Sequence, residues 1–457
     1  MEKVKLLHTN DLHSHFENWP KIRRFLLSEQ EDPNATVLTF DIGDFIDRFH
    51  PLTEATHGKA NIELMNEIGY DAVTIGNNEG IGSSKYDLEH LYDDANFDIL
   101  VGNLKEPKTS AKPDWAQLTK IVETKEGTKI AILGLTAYFP LTYVPNGWQI
   151  ERIDDVLPQL IESVKGEADL IVLLSHLGIH EDRRIAKKNP ELSIIIGSHT
   201  HHLLQFGEVV DGTLIAAAGK WGRYIGKIDL LLKDKQIVEY KIEALETKKL
   251  PMFADDEHEI FGLLDKGHQL LNQQVVGHLP QTLSSQTLSE NSVVQLALDA
   301  VKKFADVDVA ILNSGLFLGS IAAGEVNMDQ LHQILPHPMH IIRVTLSGAD
   351  MKRLILEMEK TRGFLANYPI VGMGFRGKIF GQIIYSNVKI DRLTKEVTWL
   401  NQPIDEQKNY TFATVDHFLF IPFFPTIEIK GEIEFIFPEF IRQVVANYIK
   451  EIPLINH

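Results

Sequence analysis

The sequence predicts an α/β fold for roughly the first 240 of its 457 residues. Short β-branched apolar runs recur along this part, and amphipathic or polar segments separate them. The predicted strands are 3–7, 37–40, 72–75, 99–101, 130–135, 170–174, 192–196, 214–217 and 225–232. Apolar residues at helical spacing predict helices over 21–27 and 60–68.

The chain length favours two domains. A charged helix with an apolar stripe is predicted over 255–272, and it places a connecting segment at 251–275. The pattern of apolar and polar residues changes near Gly277, where a second domain, 276–457, is expected to begin. Its predicted elements are helices over 293–304 and 348–357 and strands over 309–312, 379–384, 397–400 and 410–414.

The composition disfavours several classes of protein. Cysteine is absent, so disulfides and thiolate catalysis are excluded and a metal ion must be held by nitrogen and oxygen ligands. The formal net charge of -18 disfavours a protein that binds nucleic acid polymers. The chain shows neither an apolar run long enough for a bilayer nor the apolar stretch of a secretory signal at its start. We therefore expect a cytoplasmic protein that does not act at a membrane.

Five polar clusters each follow a predicted strand, at a turn that contains glycine or serine. Because ligand crevices form at the carboxyl ends of strands in open α/β sheets, their side chains are expected to converge. Asp11 and His13 are expected to project to one side of an extended segment and hold one ion. Asp44 suits a bridge between two ions, and Asn77 offers a neutral oxygen. The candidate metal ligands are Asp11, His13, Asp44, Asn77, His176, His199 and His201.

Such a set points to two divalent cations that clamp a phosphate and lower the pKa of a water molecule between them. Mixed nitrogen and oxygen ligands suit manganese, zinc, iron or cobalt. Single histidines after strands are more often structural, and Asp-Gly and Asn-Asn pairs are common in turns. Five such clusters in series favour the metal site over that alternative.

The order of the motifs resembles the calcineurin-like metallophosphoesterases, specifically the bacterial 5′-nucleotidase family. The family pattern is D-x-H, G-D, G-N-H-[ED], a lone H and G-H-x-H, and the run from Leu7 to His13 is especially close. The resemblance implies a four-layer α/β/β/α sandwich over 1–250 and a separate α+β C-terminal domain over 276–457. It also implies one metal held by Asp11, His13, Asp44 and His201, and another held by Asp44, Asn77, His176 and His199.

One family position departs from the pattern. The histidine of G-N-H-E, which in the family protonates the leaving oxygen or steadies the phosphoryl group, is Asn78 here. An amide can orient a phosphoryl oxygen, the catalytic role we assign to Asn78, but it cannot act as a general acid. Another group therefore supplies the proton, the substrate has a good leaving group, or activity is low. The donors near the motifs are His15, Asp47, Glu79 and His180.

The second half resembles the C-terminal nucleotidase domain, but residues that line the family's substrate pocket are replaced. The family's N-G-G-x-x-R runs here from Asn313 to Leu318, so leucine replaces its arginine. The closing G-G-D-G-Y is missing. In relatives two aromatic rings sandwich the base; Phe375 and Phe418 either do so or belong to the core. Arg376 either meets phosphate or ribose or lies solvated at the surface. The candidate substrate-binding residues are Asn313, Phe375, Arg376 and Phe418.

Three functions remain open. The first is hydrolysis of a small nucleotide or nucleotide-like phosphate compound, attacked by a metal-bridging hydroxide. The second keeps the metals for cyclic nucleotides or sugar nucleotides, whose leaving groups depend less on a proton donor at position 78. The third is a non-catalytic protein that binds a nucleotide as a sensor or scaffold.

Overall fold

The computed structural model describes residues 1–286, 291–370, 372 and 374–453. The chain divides into two compact units, Met1–Gly267 and His268–His457. The division falls within the helix that the sequence predicts as a connector. The domain boundaries expected from the sequence, at 250 and 276, stay predictions.

The first unit contains two six-stranded sheets. One has the strand order β14-β13-β1-β2-β3-β4, and the other has the order β11-β12-β10-β9-β7-β6. Strands β1 to β4 run parallel to one another, as do β7, β9, β10 and β12. The strands of this unit are β1 (Glu2–Thr9), β2 (Thr36–Asp41), β3 (Ala72–Val73), β4 (Asp98–Ile99), β5 (Leu104–Lys105), β6 (Thr119–Glu123), β7 (Lys129–Leu135), β8 (Gln149–Ile150), β9 (Leu170–Ser175), β10 (Ile194–Gly197), β11 (Glu208–Val210), β12 (Thr213–Ala216), β13 (Tyr224–Lys233) and β14 (Gln236–Glu246).

Helices cover the outer face of each sheet. They are α1 (Trp19–Gln30), α2 (Pro51–Thr56), α3 (Lys59–Asn66), α4 (Asn77–Gly80), α5 (Lys85–Leu91), α6 (Pro140–Tyr143), α7 (Ile153–Val164) and α8 (Ile179–Lys188). The connecting helix is α9 (Asp256–Asn272).

Three apolar clusters separate the layers of the first unit. Leu6, Phe40 and Val172 belong to the cluster between the two sheets. Ile22 belongs to the cluster under the helices of the first sheet, and Leu160 to the cluster under α7 and α8. Strands buried on both faces explain the nearly continuous apolar runs in the sequence. The predicted four-layer α/β/β/α sandwich is confirmed.

The second unit is built on a three-stranded antiparallel sheet of order β23-β18-β24. Its strands are β15 (Val275–Leu279), β16 (Ile311–Asn313), β17 (Gly324–Asn327), β18 (His340–Ser347), β19 (Ile383–Tyr385), β20 (Val388–Ile390), β21 (Val397–Trp399), β22 (Gln402–Pro403), β23 (Asn409–Val415) and β24 (Glu432–Phe440). Its helices are α10 (Val293–Ala305), α11 (Met328–Ile334), α12 (Gly348–Leu365), α13 (His417–Phe420), α14 (Pro425–Lys430) and α15 (Ile441–Lys450). This is the separate α+β domain that the sequence leads us to expect.

Two predicted elements of the second unit differ from the observed ones. The strand expected over 379–384 begins only at Ile383, because Gly381 takes a left-handed φ of 82° just before it. The helix expected to end near 357 continues to Leu365. Within the described part of the chain, no helix combines the length and the apolar character needed to cross a membrane.

Candidate metal centre

The candidate ligands of the first unit lie in tight turns directly after the parallel strands. Five of them have left-handed backbone angles, with φ of 49° at Asp11, 50° at His13, 53° at Asp44, 70° at His199 and 56° at His201. Such angles are uncommon outside glycine, and each costs on the order of 1–3 kcal/mol. Their concentration at one place indicates a functional site. The expectation that Asp11 and His13 project from an extended segment is wrong, since β1 ends at Thr9.

The turns bring six candidate ligands into two groups. Asp11, His13 and His201 form the first group, and Asp44, His176 and His199 form the second, each with donor atoms within 4.8 Å of one another. In the first group the Nε2 atoms of His13 and His201 are 3.1 Å apart. Asp11 Oδ1 lies 3.7 Å from His201 Nε2. His199 and His201 therefore belong to different groups, the division that the family resemblance implies.

Asp44 lies between the two groups. Its Oδ2 atom is 3.6 Å from His13 Nε2 and 3.5 Å from His176 Nε2. Its other oxygen, Oδ1, accepts a hydrogen bond from the backbone N–H of Asn78 at 2.7 Å. One carboxylate oxygen thus faces a donor of each group, which is the placement that a bridging ligand requires.

Two buried atoms at the centre lack a partner among the described residues. His176 Nδ1 donates to the carbonyl oxygen of Ile42 at 2.7 Å, so Nε2 is the ring nitrogen that faces the site, where it has no hydrogen bond and would offer a lone pair once its proton is released. Asn77 Oδ1 is also buried without a hydrogen bond. Unpaired buried acceptors are costly, and a metal ion would satisfy both. The donor set of histidine nitrogen, carboxylate oxygen and amide oxygen therefore fits divalent metal ions.

Residues next to the ligands hold them in place. Glu79 accepts hydrogen bonds from the backbone N–H groups of Asp44, Ile46 and Gly76, at 2.8–3.0 Å. Asp11 Oδ2 accepts from Ser198 Oγ at 2.6 Å and from Asn10 Nδ2 at 2.9 Å. The sequence analysis did not assign these supporting roles. The only sequence signal is that Asn10, Glu79 and Ser198 adjoin the ligand motifs.

Glycine is required where β2 and β3 end. A Cβ atom on Gly76 would lie 2.0 Å from Asp44 Oδ1 and 2.5 Å from His176 Cε1. Gly43 has a φ of 83°, and a Cβ there would lie 2.3 Å from the backbone nitrogen of Gly76. The ligand-bearing turns can pack this closely only because both positions lack a side chain.

Burial and charge set the protonation of the ligands. Burial alone would lower the pKa of His176, but the negative charges of Asp44 and Asp11 outweigh it and raise that pKa to about 10. Burial lowers the pKa of His199 to about 4 and that of His201 to about 3, and the nearby histidines His176 and His13 add to this. His199 and His201 are therefore neutral near pH 7 and ready to bind a cation. His176 must release a proton when a metal binds, so binding is coupled to pH.

The Asn78 amide contacts the first group of ligands. Its Nδ2 atom donates to the carbonyl oxygen of Ile46 at 2.9 Å and lies 3.0 Å from His13 Nδ1. Its Oδ1 accepts from Asn77 Nδ2 at 3.2 Å. In this arrangement the amide supports His13, and the predicted contact with a phosphoryl oxygen requires its Nδ2 to exchange a partner. That catalytic role stays a prediction.

The four alternative proton donors lie in different surroundings. The Glu79 carboxylate accepts hydrogen bonds from three backbone N–H groups. His15 hydrogen-bonds Glu17 at 3.2 Å and packs on Trp221. Asp47 is the one that comes near a candidate ligand, with its Oδ2 3.6 Å from His13 Nδ1. His180 packs near His202, with ring centroids 6.3 Å apart.

The predicted substrate-binding residues of the second unit are brought together, but largely inside its core. Phe375 stacks on His337 with ring centroids 5.1 Å apart, and Phe418 stacks on Phe424 at 5.3 Å. Both phenylalanine side chains are buried. These contacts favour the core alternative for both rings, and their role in substrate binding stays a prediction.

The two polar candidates of the second unit also make protein contacts. Asn313 is buried and donates from Nδ2 to the carbonyl oxygen of Phe380 at 2.6 Å. Arg376 is half-buried, and its Nη1 donates to the carbonyl oxygen of Phe375 at 3.2 Å. His417, which no sequence motif indicated, is a fully buried ring that packs against Phe375 and Phe380.

Comparisons with known proteins identify the family. The family model of calcineurin-like phosphoesterases matches residues 4–203, and that of the 5′-nucleotidase C-terminal domain matches residues 275–420. An uncharacterized metallophosphoesterase of Bacillus subtilis, YunD, is 37% identical over 97% of this chain and 98% of its own length. A 5′-nucleotidase of Vibrio parahaemolyticus is 24% identical over 76% of this chain and 73% of its own.

Solved structures show the same fold. The NAD nucleotidase of Haemophilus influenzae superposes with a TM-score of 0.65 at 16% identity, covering 98% of this chain and 96% of that one. A 5′-nucleotidase precursor from Thermus thermophilus gives a TM-score of 0.58 at 18% identity over 98% and 96% of the two chains. The matched families, the near full-length relative and the two groups of ligands agree. The chain belongs to the calcineurin-like phosphoesterases that carry a 5′-nucleotidase C-terminal domain.

Proposed function

We propose that the protein hydrolyses phosphate esters or anhydrides of small nucleotides at a centre of two divalent metal ions. The observation that carries the proposal is the pair of ligand groups with Asp44 between them. Asp11, His13, Asp44 and His201 would hold one ion, and Asp44, Asn77, His176 and His199 the other. The ligand set suits manganese, zinc, iron or cobalt.

When bound, two such ions neutralise the phosphoryl oxygens and make a coordinated water acidic enough to attack phosphorus. The side chains of this chain then have three tasks. Asp44 would contribute a carboxylate to both ions, and bonds such as that from His176 to Ile42 orient the imidazoles. The side chains also keep the site rigid through Glu79, which ties three backbone N–H groups together.

Asn78 favours one kind of substrate within this proposal. Because an amide cannot protonate a leaving group, substrates that release a weakly basic anion have an advantage over simple phosphomonoesters. Phosphoanhydrides such as nucleoside diphosphates and sugar nucleotides release a phosphate oxygen. Cyclic nucleotides, the alternative substrates, release a ribose oxygen and do not share this advantage. The NAD nucleotidase with the same fold is named for a substrate that contains an anhydride.

A metal analysis combined with a substrate panel tests the proposal. Purified protein should contain close to two divalent ions per chain, and manganese, zinc, iron and cobalt should be compared after removal by a chelator. Nucleoside monophosphates, nucleoside diphosphates, sugar nucleotides and cyclic nucleotides should then be assayed at matched concentrations. Turnover that rises with metal content supports an enzyme. Nucleotide binding without turnover under every metal would instead support the non-catalytic sensor.

A cytoplasmic location and a role in nucleotide catabolism, both expected from the sequence, remain part of this proposal. Fractionation of the source cells with an antibody to the protein checks the location. Recovery of the protein outside the cytoplasm would overturn it.

A further inference from the structure

A cavity of about 350 Å³ opens beside the candidate metal centre, within the first unit. One of its walls is the ring of His199, a candidate ligand. Leu177, which directly follows His176, forms another part of the wall. This volume is in the range of cavities that bind small molecules. A group placed in this cavity would therefore be adjacent to a phosphoryl group held at the centre.

The charges around the cavity leave one cation available. Arg184 lines the cavity, and its guanidinium forms ion pairs with Glu181 at 2.7 Å and with Asp154 at 2.6 Å. Arg152 also lines the cavity and is exposed. Within the ranges that the structure describes, its guanidinium forms neither an ion pair nor a hydrogen bond. Lys188 Nζ lies 3.4 Å from Asp154 Oδ1, so Arg184 and Lys188 together balance the two carboxylates. Arg152 is therefore left to meet an anionic group.

Two aromatic side chains complete the cavity. Tyr138 is 41% exposed and Phe139 is 38% exposed, although both are large rings that ordinarily lie inside a fold. The ring centroid of Phe139 is 5.6 Å from that of His199. Their exposed faces offer an apolar, flat surface next to the free guanidinium, which suits a group that carries both a ring and a charge.

We propose that this cavity, defined by Tyr138, Phe139, Arg152 and His199, receives the leaving group of a phosphoanhydride substrate. Arg152 binds the phosphate of the leaving group, and Phe139 contacts its organic part. This inference rests on the function proposed above, and it assigns Arg152 as a specificity-determining residue. It also explains how a chain with Asn78 manages without a proton donor, since the departing group needs no proton.

The reaction balances for a nucleoside diphosphate. The oxygen of a water molecule forms a bond to the terminal phosphorus, and the bond from that phosphorus to the bridging oxygen breaks. The electron pair leaves with the bridging oxygen, which becomes a terminal oxygen of the nucleoside monophosphate. The protons of the water pass to inorganic phosphate and to the solvent. The leaving group thus departs as an anion at Arg152.

A comparison of ADP and AMP tests the role of Arg152. Both substrates offer a terminal phosphoryl group, but the leaving group is anionic AMP in the first case and neutral adenosine in the second. The Arg152→Ala variant should lower kcat/KM for ADP by about 10- to 100-fold, the range for loss of a charge-assisted hydrogen bond, and change the value for AMP less than about threefold. Removal of the side chain should leave α7 intact, because Arg152 makes no side-chain capping bond to that helix.

The matched control is Lys165→Ala, which removes one positive charge at the other end of α7. Its kinetics for both substrates should equal those of the unchanged protein. Equal losses for ADP and AMP in Arg152→Ala, or no loss for either, would overturn the assignment of the cavity. A kcat/KM for AMP above that for ADP in the unchanged protein would overturn it as well.

A binding measurement separates this inference from the proposed function. Protein stripped of metal with a chelator should bind AMP in isothermal titration calorimetry, about 10-fold or more weaker for Arg152→Ala and unchanged for Lys165→Ala. Failure of the metal-loaded protein to hydrolyse any phosphate compound would sink the proposed function, while Arg152-dependent AMP binding would still support the cavity. Absence of AMP binding, or binding that is insensitive to Arg152, would overturn the cavity instead.

Discussion

Asp44 is the residue on which both groups of ligands depend, because a single oxygen of its carboxylate faces His13 and His176. We expect Asp44→Asn to reduce the affinity for the second equivalent of metal by more than about 100-fold, since an amide brings no charge and a weaker donor. Metal content by mass spectrometry after dialysis checks this. Asp229→Asn, on strand β13 and away from the centre, is the control. Two tightly held ions in Asp44→Asn would contradict the assignment.

Asn78 is the position at which this chain departs from its family. A histidine there would supply the missing general acid, which is worth about 10²- to 10⁴-fold in rate. We expect Asn78→His to raise kcat for AMP substantially and to leave kcat for ADP nearly unchanged, because only adenosine needs a proton to depart. Steady-state rates across pH show the difference, since the AMP activity should fall as the new imidazole loses its proton. Equal gains for both substrates would argue against the proposed role of the leaving group.

Asp416 gives a pH-dependent prediction that does not involve metal. Burial raises the pKa of its carboxyl from 3.8 to about 7, although the backbone N–H of His340 donates to it. The folded protein then holds a proton that the unfolded chain has lost between about pH 4 and pH 7. The free energy of unfolding should therefore decrease as the pH rises through that interval, by on the order of a few kcal/mol.

The matching variant is Asp416→Asn, whose amide is uncharged at every pH. It should be more stable than the unchanged protein at pH 8 and close to it at pH 4. Urea unfolding at the two pH values measures the difference. A stability difference that does not vary with pH would show that the carboxyl titrates normally.

At the scale of elements, the ends of β2 and β3 must touch for the centre to exist. A Cβ on Gly76 would lie 2.0 Å from Asp44 Oδ1, so Gly76→Ala has to displace the carboxylate or the strand end. We expect metal affinity to fall by at least about 10-fold while the fold persists. Circular dichroism and metal titration distinguish the two effects. Gly166→Ala, where an added Cβ meets nothing within 4 Å, should change neither.

The elements also show which sequence signals are reliable. The strands β9 and β10 were predictable because each is a run of apolar residues that is buried on both faces. Strands β1 and β2 were predictable from shorter apolar runs that polar residues interrupt. Helices α7 and α8 were not predicted, although both carry buried apolar faces against the second sheet. The amphipathic pattern predicted helices over 21–27 and 60–68, but no helix was predicted over the segments that form α7 and α8.

For the whole molecule, the ligands come from turns as far apart in sequence as Asp11 and His201, all within the first unit. Metal that binds only the folded state adds to its stability by mass action. We therefore expect added manganese or zinc to raise the unfolding temperature of the first unit and leave that of the second unit unchanged. Differential scanning calorimetry with metal and with chelator should resolve two transitions, of which one responds. A single transition that shifts with metal would show that the units unfold together and would contradict this prediction.

The sequence by itself determined the fold family, the α/β character and the seven candidate ligands, because strand patterns and short ligand motifs are local features. It could not reveal that Asp11 and His13 occupy left-handed turns, since that conformation depends on backbone bonds to Gly43 and Asp44. Asp44 was predicted as the bridge, but only the tertiary structure showed that one of its oxygens faces both His13 and His176, buried Phe375 and Phe418, and left Arg152 beside a cavity. The physical reason is that burial, charge pairing and close approach are made between segments distant in the chain, and no local pattern records them.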